Sequence, residues 1–323
     1  MESQTSHSKS ALESVVAPRR QGRADESRPR LKGFAIFSSI LLAMFGWTLV
    51  QLVAFAAHSD LYSYILLIPL ISGFLIWINR AGLPAQSGPN HWLAALSFAA
   101  GACVFAVCKL AMWTGWIPER SDYLSAMTLS FLTFWLGGGF IFLGTKYLRA
   151  IAFPVAFLFL CVPSPESVKT GIEAFLQCTS AVAAAAMLST TGMPVLRTGT
   201  YLQLPSFRLN VAPECSGIHS TLVLTIICFL VAYVLLKRPA NRLLLILAVI
   251  PLGILRNGFR IFIIAQLCVH VGPQMIDSPI HRHGGPVFFL LSLIPLFLFV
   301  RYLRKRELKR EGSMIGPLNN NYE

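Results

Sequence analysis

Charge is what this chain has least of. Only 13% of its 323 residues are charged and just 14 are acidic, where soluble domains carry about a quarter charged residues. That scarcity excludes an ordinary soluble globular protein. Cysteine patterning is missing too. The seven cysteines, at 103, 108, 161, 178, 215, 228 and 268, show no disulfide framework, and Cys103 and Cys108 lack CxxC spacing. No Cys/His cluster has the pattern of a zinc site, so no metal or cofactor is expected. The basic residues flank apolar runs instead of forming the folded basic face of a nucleic-acid binder. A clean signal peptide is also lacking. The polar N-terminal region is about 33 residues long and the apolar run after it exceeds about 20, which favours a retained first span.

Apolar residues are abundant, at 55%. Runs of about 18 or more recur, too long for barrel strands, and a bilayer forces such runs into helices. The fold class is therefore all-α, a polytopic transmembrane helical bundle. Eight spans are expected at 35–57, 62–79, 91–112, 123–144, 149–163, 216–236, 242–268 and 284–300. The segment 168–190 mixes Glu173, Gln177, Thr179 and Ser180 with the small residues from Ala181 to Ala186. It is expected to be re-entrant or to lie on the outer face. Three parts are expected: a disordered, basic, cytoplasmic N-terminus at 1–33, a transmembrane domain at 34–300, and a basic cytoplasmic tail at 301–323.

Charge placement supports that count. Positive clusters occur at Arg80, at Lys146 and Arg149, at Lys237, Arg238 and Arg242, and at both ends of the chain. Alternating orientation puts all of them in the cytoplasm if 168–190 does not cross. Cys215, the loop 269–283 and a compact polar cap at 191–213 then share the outer side. Within that cap, Tyr201 to Arg208 is expected as a short strand or an interfacial loop.

Three groups on that side can do chemistry. Cys215 sits in Val211-Ala-Pro-Glu-Cys-Ser-Gly217 at the mouth of an apolar run. Pro213 stops a helix extending backward, which leaves the thiol near a helix N-terminus where free amides favour a thiolate. A buried packing cysteine is the bland reading, and it holds for Cys103, Cys108 and Cys228. Arg260 lies within an apolar segment, and Arg256 and Asn257 precede it by about one turn. Membrane arginines face a protein interior or cavity, either tying helices together or holding a charge for an oxyanion or thiolate. His281 and His283 stand just before the last apolar run and could protonate a leaving amine. His219, four residues past Cys215, is a rival base on the same expected helical face. Glu214 could tune local charge or pair with an arginine.

Ala212-Pro-Glu-Cys-Ser-Gly-Ile218, Asn257-Gly-Phe-Arg-Ile261 and His281-Arg-His-Gly-Gly285 resemble, in order and spacing, the three motifs of the exosortase/archaeosortase family. Tyr62-Ser-Tyr before Ile68-Pro69 and Gly192-Met-Pro-Val add softer likeness. The resemblance covers residues 35 to 300. Tyr64 departs from it, standing where many members have a histidine, and His283 stands where another residue is common. The resemblance implies a multi-pass inner-membrane cysteine enzyme that processes exported proteins. Such proteins bear a C-terminal sorting signal: a short motif, a transmembrane helix and a basic tail. It implies a triad of Cys215, Arg260 and His281, with a thioester passed to water or to an amine or glycolipid acceptor. Its partners would be those exported proteins and membrane lipid. Two other classes are weighed beside it, a transporter for glycan or lipid intermediates and a non-catalytic assembly subunit for exopolysaccharide export. No internal repeat supports the transporter.

Overall fold

A computed structural model describes residues 18–84, 88–205, 207–272, 274–275 and 284–315, with the backbone alone at 18–29, 214 and 311–315. The chain divides into two compact units, Met1–Glu166 and Ser167–Glu323.

In the first unit helix α1 spans Pro18–Ala57, so helix covers residues 18–33 of the segment expected to be disordered. A 3-10 turn at Ser63–Leu66 leads into α2, Ile68–Asn79, with proline in its first turn, where a missing N–H costs nothing. Helix α3, His91–Trp113, starts where the Asn90 side chain accepts from the Leu93 amide at 3.1 Å, an ordinary N-cap. Helix α4, Arg120–Phe142, carries Gly137, Gly138 and Gly139. The Phe37 ring fills the space that a Cβ on Gly138 would need. Small residues let membrane helices pack this closely.

The chain turns at Gly144 (φ 78°) and runs back along α4 in short pieces: α5, Thr145–Ala150, α6, Ala152–Leu158, and a 3-10 turn at Phe159–Cys161. At one end of this return, Asn90 reaches both the Phe140 carbonyl (3.1 Å) and Thr145 Oγ1 (3.4 Å). At the other end, Ser125 donates to the Pro163 carbonyl, and the Glu166 amide donates to Asp122 Oδ1 at 2.7 Å. The expected fifth span thus does run the length of α4, but its continuous apolar helix covers only Ala152–Cys161. A helix needs about 20 residues to cross a bilayer.

Helix α7, Glu166–Thr190, is a single unbroken helix that starts at the last residue of the first unit and belongs otherwise to the second. Its 25 residues rise about 37 Å. It is one of eight helices among the described residues that are long and apolar enough to cross a membrane, together with Arg30–Ala57, Ser63–Gly82, His91–Trp113, Arg120–Phe142, Ile218–Leu235, Pro239–His270 and Gly285–Arg310. An unbroken helix has no turn at which a re-entrant hairpin could reverse, so that form of the expectation is corrected. The expected bundle of about eight long apolar helices stands, with 166–190 qualifying by length where 149–163 does not.

Between α7 and the next helix lies a small antiparallel sheet, β1 Leu196–Thr198, β2 Tyr201–Gln203 and β3 Arg208–Asn210, in that order. Leu202 and Leu209 face each other across β2 and β3 and are buried, while their neighbours Tyr201, Gln203, Arg208 and Asn210 are exposed. That period-2 alternation is the mark of a half-buried strand. The inner face packs on Ala181, Ala184 and Leu188 of α7 and on Ile261 and Ala265 of a later helix.

Among the described residues, three further α-helices follow in the second unit: α8 Ile218–Leu235, α9 Pro239–His270 and α10 Gly285–Ile315. Their shared core is Leu224, Cys228, Leu245, Val249, Leu296 and Leu303. Helix α10 runs through residue 300 without a break, so the basic tail begins as a continuation of the last span. Glu307 within it is buried, 4% exposed, and its carboxylate accepts from the amides of Lys237 (3.1 Å) and Arg238 (2.9 Å) and from Asn241 Nδ2 (2.8 Å). One side chain of α10 thereby caps the start of α9.

Candidate active site

Cys215 ends a 3-10 turn, Pro213–Cys215. Its amide donates to the Ala212 carbonyl at 2.8 Å and the Ser216 amide to Pro213 at 3.0 Å. Gly217 then takes φ 74°, a left-handed conformation, and α8 begins at Ile218. Only glycine enters that region without a steric penalty. The space is closed as well, since a Cβ there would meet Asn257 Cγ and Oδ1 at 3.0 Å and Arg256 Nη2 at 3.2 Å.

This turn alters one expectation. His219 and Cys215 do not share a helical face, because the left-handed Gly217 separates the cysteine turn from α8. His219 sits exposed on the first turn of α8. The Glu214 backbone belongs to the same 3-10 turn as Cys215.

Across from the turn stands α9. Asn257 is 3% exposed, and its Nδ2 donates to the Cys215 carbonyl at 2.8 Å and to the Ser216 carbonyl at 3.1 Å. Arg256 is 8% exposed, and its Nη2 donates to the Gly217 carbonyl at 3.2 Å and to Thr221 Oγ1 at 3.3 Å. Arg260 is half-buried, with its Nε shielded from solvent. It lies on the helical stripe 257, 260, 261, 264. Asn257 bonds the cysteine turn, and Ile261 and Ile264 line a small recess with Cys215, Leu209, Asn210 and Val211. The recess holds about 20 Å³ and the thiol is half-buried beside it. Arg260 is therefore carried on the face of α9 that meets the cysteine.

Helix α7 reaches the same place from behind. A Cβ on Gly258 would stand 2.7 Å from Ala183 Cβ and 3.3 Å from the Ala184 amide nitrogen. Gln177 Nε2 donates to the Val211 carbonyl at 3.3 Å, holding the strand that borders the recess.

The structure thus brings Cys215, Arg256, Asn257 and the face bearing Arg260 together and leaves His219 exposed at the edge. His281 and His283 lie outside the described residues. Sequence reasoning missed Thr221, the second acceptor of Arg256, and Leu209 to Val211, which wall the recess. The small residues Ala181 to Ala186 were the available signal for the α7 crossing, and nothing in residue type pointed to Thr221.

Among the described residues no group of three or more His, Cys, Asp or Glu comes together to hold a metal ion. The cysteines form no disulfide with one another. What the arrangement offers is a half-buried thiol, two guanidinium groups and an amide on adjoining elements, the materials of acyl transfer through sulfur. The family model for the transmembrane exosortase, Exosortase_EpsH, matches residues 56–298. No curated protein and no solved structure gives a match. With that model covering well over half of the chain, and with all three motifs inside it, the chain belongs to the transmembrane exosortase family.

Proposed function

We propose that this protein is a membrane-embedded cysteine peptidase or transpeptidase that cuts the C-terminal sorting signals of exported proteins. The observation that carries the reading is the juxtaposition of the Cys215 turn with the Asn257–Arg260 face of α9 inside the family match. The Cys215 thiolate attacks the scissile carbonyl carbon, giving a tetrahedral oxyanion. Arg260 supplies fixed positive charge to the thiolate before attack and to the oxyanion after it. The C–N bond then breaks and the leaving amine takes a proton from His281, whose role rests on its motif alone. The resulting thioester passes its acyl group to water or to an amine acceptor, and the thiol is regenerated.

The enzyme works at the inner membrane with both termini in the cytoplasm and the site facing the periplasm. Charge supports this placement at each end of α7 separately. Its start is tied to Asp122 at the end of α4 opposite Lys146 and Arg149. Its far end is tied through Thr191 to Gln266 (3.0 Å), at the end of α9 opposite Lys237, Arg238 and Arg242. By the positive-inside rule both ends of α7 are periplasmic. Residues 145–163 then supply the crossing in short pieces, and α7 lies on the outer face. The substrate's basic tail is cytoplasmic by the same rule.

The test is processing of a tagged substrate carrying such a signal, in cells with wild type or Cys215→Ala, with equal membrane levels of the two enzymes. A size shift with wild type alone is expected. Equal processing by both would remove Cys215 from the chemistry.

A further inference from the structure

Arg256 is an expensive residue for an apolar helix. An arginine is tolerated within a membrane protein where the interior makes use of its charge or its donors. Among the described residues Arg256 bonds two neutral oxygens, the Gly217 carbonyl and the Thr221 hydroxyl. Its Nη1 is buried and hydrogen-bonds to nothing among the described residues. Beside it, one amide nitrogen of Asn257 serves the carbonyls of both Cys215 and Ser216. Carbonyls of three successive residues, beginning at the cysteine, are thus gathered by two adjacent side chains of α9.

None of those three residues lies within an α-helix or a strand. Residue 215 ends a 3-10 turn, 216 is a bend, and Gly217 is left-handed. A turn of that kind has little to hold it except bonds from outside. With the Cys215 amide bonded to Ala212 and its carbonyl to Asn257, both sides of the residue are held, which restrains its Cα–Cβ direction and so the arc on which the sulfur can stand beside the recess of Leu209, Val211, Ile261 and Ile264. Holding a nucleophile in a reactive geometry is a large part of what an active site does. We infer that Arg256 and Asn257 are positioning residues for the Cys215 thiol, acting by hydrogen bonds to the backbone of its turn. This rests on the reading of Cys215 as the nucleophile.

The experiment compares Asn257→Asp, Asn257→Gln and Asn257→Ala in the full-length protein in membranes. Two readouts are taken: processing of the tagged substrate, and alkylation of Cys215 by N-ethylmaleimide, followed peptide by peptide. Buried Cys228 and Cys268 of the same unit report whether each variant keeps its fold. Aspartate has the shape of asparagine but no donor, whereas glutamine keeps the donor at a different length. If the amide acts by donating, Gln retains the most function. Asp and Ala then lose about tenfold or more in processing while Cys215 becomes several-fold more reactive to the reagent. A contact that acts only by packing gives the reverse order, with Asp closest to wild type, and that result overturns the inference. Wild-type processing and alkylation in all three variants overturn it too. Should Cys228 or Cys268 become labelled in the Asp variant, Arg256→Gln and Arg256→Met are compared in the same way. Gln, which keeps a donor, is then expected above Met, and equal or reversed effects overturn the inference. Activity of Cys215→Ala would defeat the catalytic reading, yet the alkylation order would still report whether the clamp exists.

Discussion

Two buried charged side chains in the second unit make opposite use of their surroundings. Glu307 is met by three donors, two of them backbone amides at the start of α9. It closes a helix end and serves architecture. Arg256, on the same helix α9, bonds two neutral oxygens of the cysteine turn and keeps Nη1 unbonded among the described residues. A buried carboxylate with both oxygens hydrogen-bonded holds a fold together. A buried cation answered, among the described residues, by neutral oxygens alone raises the local potential, the setting in which functional groups gather. On the proposed roles, loss of the first kind of residue should unfold the protein and loss of the second should silence it.

The comparison can be broken most forcefully at Glu307. Glu307→Ala leaves two amides and the Asn241 side chain without their acceptor, at a cost of about 3 kcal/mol or more. Thermal unfolding in detergent should shift strongly downward, while the molecules that stay folded keep their processing rate. A variant with unchanged unfolding would show that Glu307 caps nothing of consequence. Next in size is Gly217→Ala, which strains the left-handed turn and crowds Asn257 at a cost of about 1–3 kcal/mol. Here stability and processing should fall together, and a fully active variant would mean the turn tolerates a shift that the clamp should forbid. Arg260→Lys keeps charge but loses the planar fork. Processing should drop about tenfold or more with thermal unfolding unmoved, and wild-type turnover would argue against a directed contact. The smallest effect belongs to His219→Ala. Its side chain is exposed and off the cysteine's face, so processing should stay within about twofold, and a large loss would restore it as the base.

Much of this layout was legible in the sequence. Long apolar runs announce their helices, and an arginine or a polar Glu-Cys-Ser-Gly stretch stands out against them. Hence the Cys215 and Arg260 positions could be named in advance. Helix α7 was harder because Glu173, Gln177 and Thr179 dilute its apolar character, although nothing between Glu166 and Thr190 breaks its helix. The return along α4 was read as one helix because hydropathy does not register a break such as that at Ile151. Glu307 was hidden among Arg304, Lys305, Arg306 and Lys309, which read together as a tail. The clamp on the cysteine turn was least visible. Its acceptors are backbone carbonyls, which every residue has, so spacing could flag Arg256 and Asn257 without saying what they hold.

The central claim is that Cys215 carries the acyl group. Its most direct test is peptide mass spectrometry of the enzyme quenched in acid during turnover of a tagged substrate, with a matched sample treated with hydroxylamine. The account predicts a substrate-derived acyl adduct on the Cys215 peptide, removed by hydroxylamine and missing from Cys215→Ser. Continued processing by Cys215→Ser, or an adduct found on another residue, would contradict it.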